Sequence, residues 1–386
     1  MALFKHNKPD AKPLREDTTG LPDLPFLVLV VLLALLGLLM MFSASYARAN
    51  WDTGNSAYYF RRQAYFALGG IAIMLLVGRL NYFIWYRLSM LILGASVILL
   101  ALVPIMGVWV NGARRWLKIG IQFQPSDIAK LGMILSFGAM MSVWQDKMES
   151  FRYGVVPYAG VLGVLAGLLA LEPHLSATLI ILVTGATMML IGGTQKRWFA
   201  LGLALLAVFL AVYLSTHGYA NARITTWLDP ESDALGNGYQ GLQSRYAIGS
   251  GGFLGLGLGR SRQKYLYLPE EHNDYIFAIV CEELGFVGAV GIILLFALLV
   301  IRGYWIAIHA RDRFGTLVVA GIITKLAIQV FFNIGVVSGL LPPTGISLPF
   351  FSYGGTALMM QLFEMGIVLS VSRWCVNKDA VGRSHT

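Results

Sequence analysis

The chain has 386 residues and a formal net charge of +9, yet only 13% of its residues are charged while 57% are hydrophobic. With a mean hydropathy of +0.67, this excludes a soluble globular domain and predicts an all-α, polytopic membrane protein. The apolar runs are continuous, which excludes the short alternating strands of a membrane β-barrel. The basic residues are scattered over short loops, so the positive charge reflects membrane topology and implies no nucleic-acid partner. Cys281 and Cys375 form no disulfide framework, metal motif or redox pair.

Residues 1–24 read as a basic cytoplasmic tail, with Lys5, Lys8, Lys12 and Arg15 close to anionic membrane lipids. A transmembrane domain follows over 25–374. Its spans are expected near 25–45, 63–79, 88–108, 126–144, 154–171, 174–192, 197–215, 275–301, 315–338 and 351–372, about ten helices. The first apolar run, Phe26–Met41, is long for a signal peptide and is read as an uncleaved span. An even number of spans puts both termini on one side, and 375–386 forms a second cytoplasmic tail. Arg79, Arg87, Lys147, Arg152, Lys196, Arg197, Arg302, Arg311 and Arg313 mark that side as cytoplasmic. The other side holds its basic residues in three places: Arg48, Arg61 and Arg62; Arg114, Arg115 and Lys118; and a large extracytoplasmic loop, 216–274, between helices 7 and 8. Basic clusters on the face that topology tends to deplete suggest an anionic ligand, against the alternative of solvated charge.

Several segments interrupt the apolar pattern. In Asn111–Lys130, Pro125 suits a helix start, and Asp127 and Lys130 are spaced to meet on one helix face. A structural pair there leaves Arg114, Arg115 and Lys118 to meet an anion. The sequence Glu172-Pro173-His174 carries two metal-capable side chains, too few for a site, and reads better as a hydrogen-bonded turn. In the large loop, Gly249 through Gly259 matches neither a Walker A loop nor a dinucleotide fingerprint. Those glycines can present N–H groups to a phosphate or simply allow close packing. Arg245, Arg260, Arg262 and Lys264 are the stronger anion-binding candidates there.

Glu282, Glu283, Lys325, Asn333 and Glu364 lie within predicted spans, where polar groups are expensive and need partners. Lys325 calls for a carboxylate or a phosphate. Pro342, Pro343 and Pro349 cannot sit in a regular span. Their loop is expected to dip into the bundle and wall a polar cavity, since irregular backbone at membrane depth must be buried in protein or line a cavity. Ser352 and Tyr353 at its end join the substrate-binding candidates. Asp274 stands where the polar loop Pro269–Asn273 becomes an apolar helix. It can cap that helix or serve as a reactive carboxylate; the residue alone does not decide between them.

Taken together, Arg115-Trp116 with Gln124-Pro125-Ser126-Asp127-Ile128-Ala129-Lys130, Pro269-Glu270 with Asn273-Asp274-Tyr275-Ile276-Phe277-Ala278, Glu282-Glu283-Leu284-Gly285 and Leu348-Pro349-Phe350-Phe351-Ser352-Tyr353-Gly354-Gly355 resemble the SEDS family (shape, elongation, division and sporulation: FtsW, RodA and SpoVE). The resemblance implies a ten-helix membrane glycosyltransferase that polymerises lipid II, an undecaprenyl-linked disaccharide-pentapeptide, into glycan strands. It also implies a class B penicillin-binding protein as partner, and it places the family's aspartate at Asp274. Gly259-Arg260-Ser261-Arg262-Gln263-Lys264 ahead of Leu268-Pro269-Glu270 looks more like the FtsW and SpoVE branch than the elongation branch. Two departures stand out: Glu172-Pro173-His174-Leu175-Ser176-Ala177-Thr178 replaces a common Gln-Pro-Asp-Leu-Gly-Thr, and Asp127 stands for a common Glu.

Such a reaction needs a base for the acceptor hydroxyl, which Asp274 supplies, and positive charge for the departing pyrophosphate. The basic residues named above are the candidates for that charge, with a divalent cation (Mg or Mn) as an added helper of unknown ligands. The rival classes are a lipid II transporter, which broken helices and intramembrane charges also suit, and a non-catalytic scaffold for the penicillin-binding protein.

Overall fold

The computed structural model describes residues 20–110, 113–172, 174–202, 226–236 and 238–375. Its helices are α1 (Leu24–Thr53), α2 (Tyr58–Arg79), α3 (Phe83–Met106), α4 (Pro125–Val143), α5 (Val156–Leu171), α6 (Leu175–Gly192), α7 (Tyr239–Gly251), α8 (Ile276–His309), α9 (Arg313–Val337) and α10 (Gly355–Ser372). Among the described residues, nine helices are long and apolar enough to cross a membrane; α7 is not one of them, and α5 counts together with the short turn before it. They match nine of the ten expected spans. The remaining one, 197–215, lies mostly outside the described residues, from 203 onward, as does 216–225 of the large loop.

Helix ends follow local chemistry. Asp23 caps α1 by accepting from the Phe26 N–H at 2.9 Å, and Gly54 ends it in the left-handed conformation, φ 69°. Asp312 caps α9 in the same way, at 3.2 Å. The chain's described ends meet on one side: Gly20 N–H donates to the Arg373 carbonyl at 2.9 Å, and the Asp23 N–H donates to Ser372 Oγ at 3.1 Å. Small residues let neighbouring helices approach closely. A Cβ on Gly70 would stand 2.6 Å from Leu362 Cδ1, and one on Gly366 2.8 Å from the Met74 carbonyl, so α2 and α10 pack backbone against backbone.

A short antiparallel sheet of three strands joins α3 to α4: β1 (Val108–Val110), β2 (Ala113–Ile119) and β3 (Ile121–Phe123), in the order β1-β2-β3. Leu117 faces Phe123 and Lys118 faces Gln122 across one ladder. Leu117 is buried between half-buried Trp116 and exposed Lys118.

The least expected feature is a break in α8 at Gly285 (φ 67°, ψ −167°), roughly 14 Å along the axis from the helix start. The helical hydrogen bonds lost there are replaced by the glycine-rich segment of the large loop. Leu256 and Gly257 N–H groups donate to the Glu282 and Glu283 carbonyls, each at 3.0 Å, and Phe286 N–H donates to the Gly252 carbonyl at 2.9 Å. At membrane depth these groups have no water to turn to. Glycine is required because the two backbones touch: a Cβ on Gly255 (φ 80°) would overlap the Glu283 carbonyl, and one on Gly251 the Cys281 carbonyl. Close packing, not a phosphate cradle, is therefore the role of Gly251 and Gly255. Gly255→Val is expected to cost on the order of 3 kcal/mol or more, through steric overlap and a disfavoured φ. A thermal unfolding temperature in detergent equal to that of the unmutated protein would contradict this.

Candidate active site

The same joint organises the buried charges. Glu283 accepts from Lys264 Nζ at 2.9 Å, from Ser43 Oγ at 2.7 Å and from the Ser261 N–H at 3.2 Å. Glu282 accepts from the Ser261 hydroxyl and from the Arg262 and Gln263 N–H groups, at 2.9 and 3.3 Å. Lys264 is buried with its ammonium committed to Glu283. That corrects its expected place among the ligand-binding cations: it offsets a buried carboxylate and ties the loop to α8. Arg260 and Arg262 are exposed beside it. Arg245, on α7, is exposed too, with its guanidinium packed over Gly339.

A second polar group lies between α4, α6, α9 and α10. Lys130 Nζ bonds Asp127 at 2.8 Å, while Lys325 pairs with Glu364 and donates to Gln361 Oε1 at 3.2 Å. A cavity of about 100 Å³ opens beside them, lined also by Gln124, His174, Gln329 and the loop Gly345–Phe350. The proline-broken segment thus does wall a polar cavity. Gln329 Oε1, Gln361 Nε2 and Glu364 Oε1 are buried with no protein partner. Polar atoms of this kind, around a space of this size, call for water or ligand.

Asp274 adjoins this cavity through Gly345, where a Cβ would come 3.3 Å from Asp274 Oδ2. It does not begin the helix. Tyr275 holds the N-cap position of α8, and no side chain caps that end. The structure therefore removes the capping role. Burial pushes the Asp274 carboxyl up to about 6, helped by the neighbouring Glu270 charge and opposed by Arg115 and His272. A carboxylate poised there is still mostly ionised at neutral pH and is a better proton acceptor than an ordinary aspartate.

Its backbone is fixed from two sides. Asn333 Nδ2, on buried α9, donates to the Asp274 and Ile346 carbonyls, both at 2.7 Å. Ser352 Oγ donates to the Asn273 carbonyl and accepts from the Leu348 N–H, both at 2.7 Å. This occupies the Ser352 hydroxyl in clamping the loop, so its expected substrate contact is replaced by a positioning role. Tyr353 N–H donates to the His272 carbonyl at 2.8 Å, and its ring stays half-buried at the cavity wall.

The Arg115 charge on β2 acts on Asp274, Glu172 and His174 alike. Glu172 is buried with both carboxylate oxygens lacking partners. Burial holds its carboxyl up at about 8, against the pull of Arg115, so it is neutral at pH 7. His174 is kept neutral, pushed down to about 3 by burial and then by Lys130 and Arg115; its ring meets Gln124 Nε2 at 3.2 Å. This is the hydrogen-bonded turn expected of the segment. Among the described residues no three His, Cys, Asp or Glu side chains converge to hold a metal. Arg114 donates to the Pro104 carbonyl at 3.0 Å, and its exposed side chain, like that of Lys118, stands on the sheet above.

Tyr59 and His272 also gather here, with the Arg62 charge near Tyr353; of the three, only Arg62 is marked out in the sequence, as part of an outer basic cluster. The outward placement of Arg48, Arg61 and Arg62 was the one available signal.

Comparison with known proteins follows the same outline. A family model described as a cell cycle protein, FtsW/RodA/SpoVE, matches residues 23–376. Stage V sporulation protein E of Bacillus subtilis is 42% identical over 357 residues, 92% of this chain and 97% of that protein. The probable peptidoglycan glycosyltransferase FtsW of Trichlorobacter lovleyi is 41% identical over 338 residues, 86% and 88% of the two chains. Among solved structures, a chain of a peptidoglycan synthase complex that coordinates polymerization and crosslinking superposes with a TM-score of 0.78 at 30% identity, covering 91% of this chain and 98% of that one. The rod shape determining protein RodA of Thermus thermophilus gives 0.69 at 28% identity, covering 92% and 98%. The chain belongs to the FtsW/RodA/SpoVE family, on its FtsW/SpoVE side.

Proposed function

We infer that this multi-pass membrane protein is a peptidoglycan glycosyltransferase that polymerises lipid II into glycan strands, in cell division or sporulation. The observation that carries this reading is Asp274: a carboxylate released from helix capping, raised in basicity by burial, and clamped by Asn333 and Ser352 beside a polar cavity. The acceptor sugar hydroxyl gives its proton to Asp274 while its oxygen bonds to the anomeric carbon of the donor. The donor's bond to pyrophosphate breaks in the same inverting displacement, and the lipid pyrophosphate leaves with the electron pair. Arg115, with Arg114, Lys118, Arg245, Arg260 and Arg262, supplies positive charge to that leaving group.

The donor set around Asp274 does not fit a resident divalent cation. A Mg or Mn ion in the reaction is one that arrives with the pyrophosphate. On this reading both termini lie in the cytoplasm, which the basic residues of the short loops support, and a class B penicillin-binding protein is the partner that crosslinks the product. Arg115→Ala is expected to lower kcat/KM on the order of 100-fold if it faces the developing charge, with smaller losses for Arg260→Ala. Unchanged kinetics for all six charge-removing variants in folded protein would refute the anion site.

Purified protein, with and without that partner, is given labelled lipid II in detergent, where transport has no meaning. Muramidase-sensitive polymer supports the reading. Failure to polymerise, coupled with lipid II movement across proteoliposomes, would identify a transporter.

A further inference from the structure

Three rings from three separate elements meet beside Asp274. Tyr59 comes from the first turn of α2, His272 from the segment before α8, and Tyr353 from the end of the proline-broken loop. Tyr59 lies nearly parallel to His272, with centroids 5.1 Å apart at 25°. Tyr353 meets Tyr59 edge-on at 5.0 Å and 71°, and is tilted against His272 at 5.7 Å. His272 is buried beneath, while Tyr59 and Tyr353 keep part of their surface open.

The backbone under these rings is stiff. Buried Gln63 donates to the Ser352 carbonyl and accepts from the Gly354 N–H, both at 3.2 Å, and Tyr353 is bonded to His272 as described. The rim is polar. Asp52 accepts from the Tyr59 hydroxyl at 2.8 Å and from Arg48 Nε at 3.1 Å, and the exposed Arg62 carries its charge near Tyr353.

Rigid aromatic faces with charged groups at the edge suit a pyranose ring. Its C–H face is apolar and slightly positive, matching the negative face of an aromatic ring, and its hydroxyl and acetamido groups point outward to polar partners. A packing cluster alone would not need Asp52 and Arg62 on its wet edge. His272 lies two residues from Asp274, and the Tyr353 N–H is bonded to the His272 carbonyl, so a sugar seated on these rings lies near that carboxylate. We propose that Tyr59, His272 and Tyr353 form the stacking platform for the acceptor sugar, with Asp52 and Arg62 binding its polar substituents. The proposal rests on the glycosyltransferase reading and names one of that site's two sugar subsites.

The test is a steady-state titration of lipid II with the full-length protein in detergent. Tyr59→Leu is expected to raise KM about tenfold with kcat near the original value, as loss of a stacking surface does. Tyr59→Phe keeps the ring and is expected to stay within about threefold of the original KM. A purely structural role would instead lower the unfolding temperature and leave KM alone. Unchanged KM in a folded Tyr59→Leu protein overturns the platform. Saturation-transfer NMR on the unmutated protein decides the matter should Tyr59→Leu fail to fold. With a short-chain, soluble lipid II as probe, irradiating the tyrosine ring protons should transfer to sugar ring protons, and absence of transfer at saturating probe overturns the proposal. The two readings fail separately: an unmutated protein that makes no polymer sinks the enzyme assignment, and the NMR result still judges the platform.

Discussion

Asp274→Asn is expected to yield a folded protein that binds lipid II and makes almost no glycan, with a loss on the order of 100- to 10,000-fold in rate. The amide keeps the shape and the backbone bonds from Asn333 and Ser352, and it removes only the proton acceptor. Stability should hold or improve. Because burial raises the folded carboxyl to about 6, above an unfolded aspartate near 3.9, its contribution to stability is full at low pH and is lost as pH rises through about 6. At pH 7 to 8 the ionised side chain is a burden, and the neutral amide lifts it. A structural Asp274 gives the opposite pattern: a lower unfolding temperature with activity falling only as folded protein is lost. Differential scanning fluorimetry and glycan synthesis on the same preparation distinguish the two.

The second large effect is on folding. Lys264→Met leaves Glu283, fully buried in α8, without its cation, and breaking a buried pair from one side costs about 3–5 kcal/mol. The cost falls where the large loop repairs the break at Gly285, so loop and helix should loosen together. KM for lipid II in whatever folded protein remains should be unchanged. The paired change Lys264→Met with Glu283→Leu removes the stranded charge and should recover much of the loss. A Lys264→Met protein of unchanged stability and raised KM would return this lysine to the ligand.

These expectations differ in how far the sequence discloses them. Hydropathy alone predicts nine of the spans seen here, because bilayer thickness imposes a length that a run of apolar residues either meets or misses. The proline-broken loop is legible for the same reason, since its prolines forbid a helix that the surrounding composition would otherwise allow. The break at Gly285 is not legible. The run Ile276–Ile301 reads as continuous helix, and the atoms that substitute for its lost hydrogen bonds come from Gly252–Gly257, in a different segment. The partner of Lys264 is hidden likewise: Glu283 and Ser43 meet it only once α1, α8 and the loop have packed. Asp274 is visible as a polar residue at a membrane boundary. Its rise toward neutral pH comes from burial and from Glu270, which only the folded arrangement supplies. The short sheet Val108–Phe123 is too brief, and too rich in charge, to stand out in the sequence.

The pH dependence of glycan synthesis bears most directly on Asp274 as the base. With purified protein and lipid II in detergent, kcat/KM is measured from pH 4.5 to 8 with folding checked at each point. A single base with the value found here predicts a rate that is level above neutrality and falls about tenfold per pH unit below an inflection near 6. A rate that stays level down to pH 5, or that bends only near 4 as an exposed aspartate would, contradicts the account.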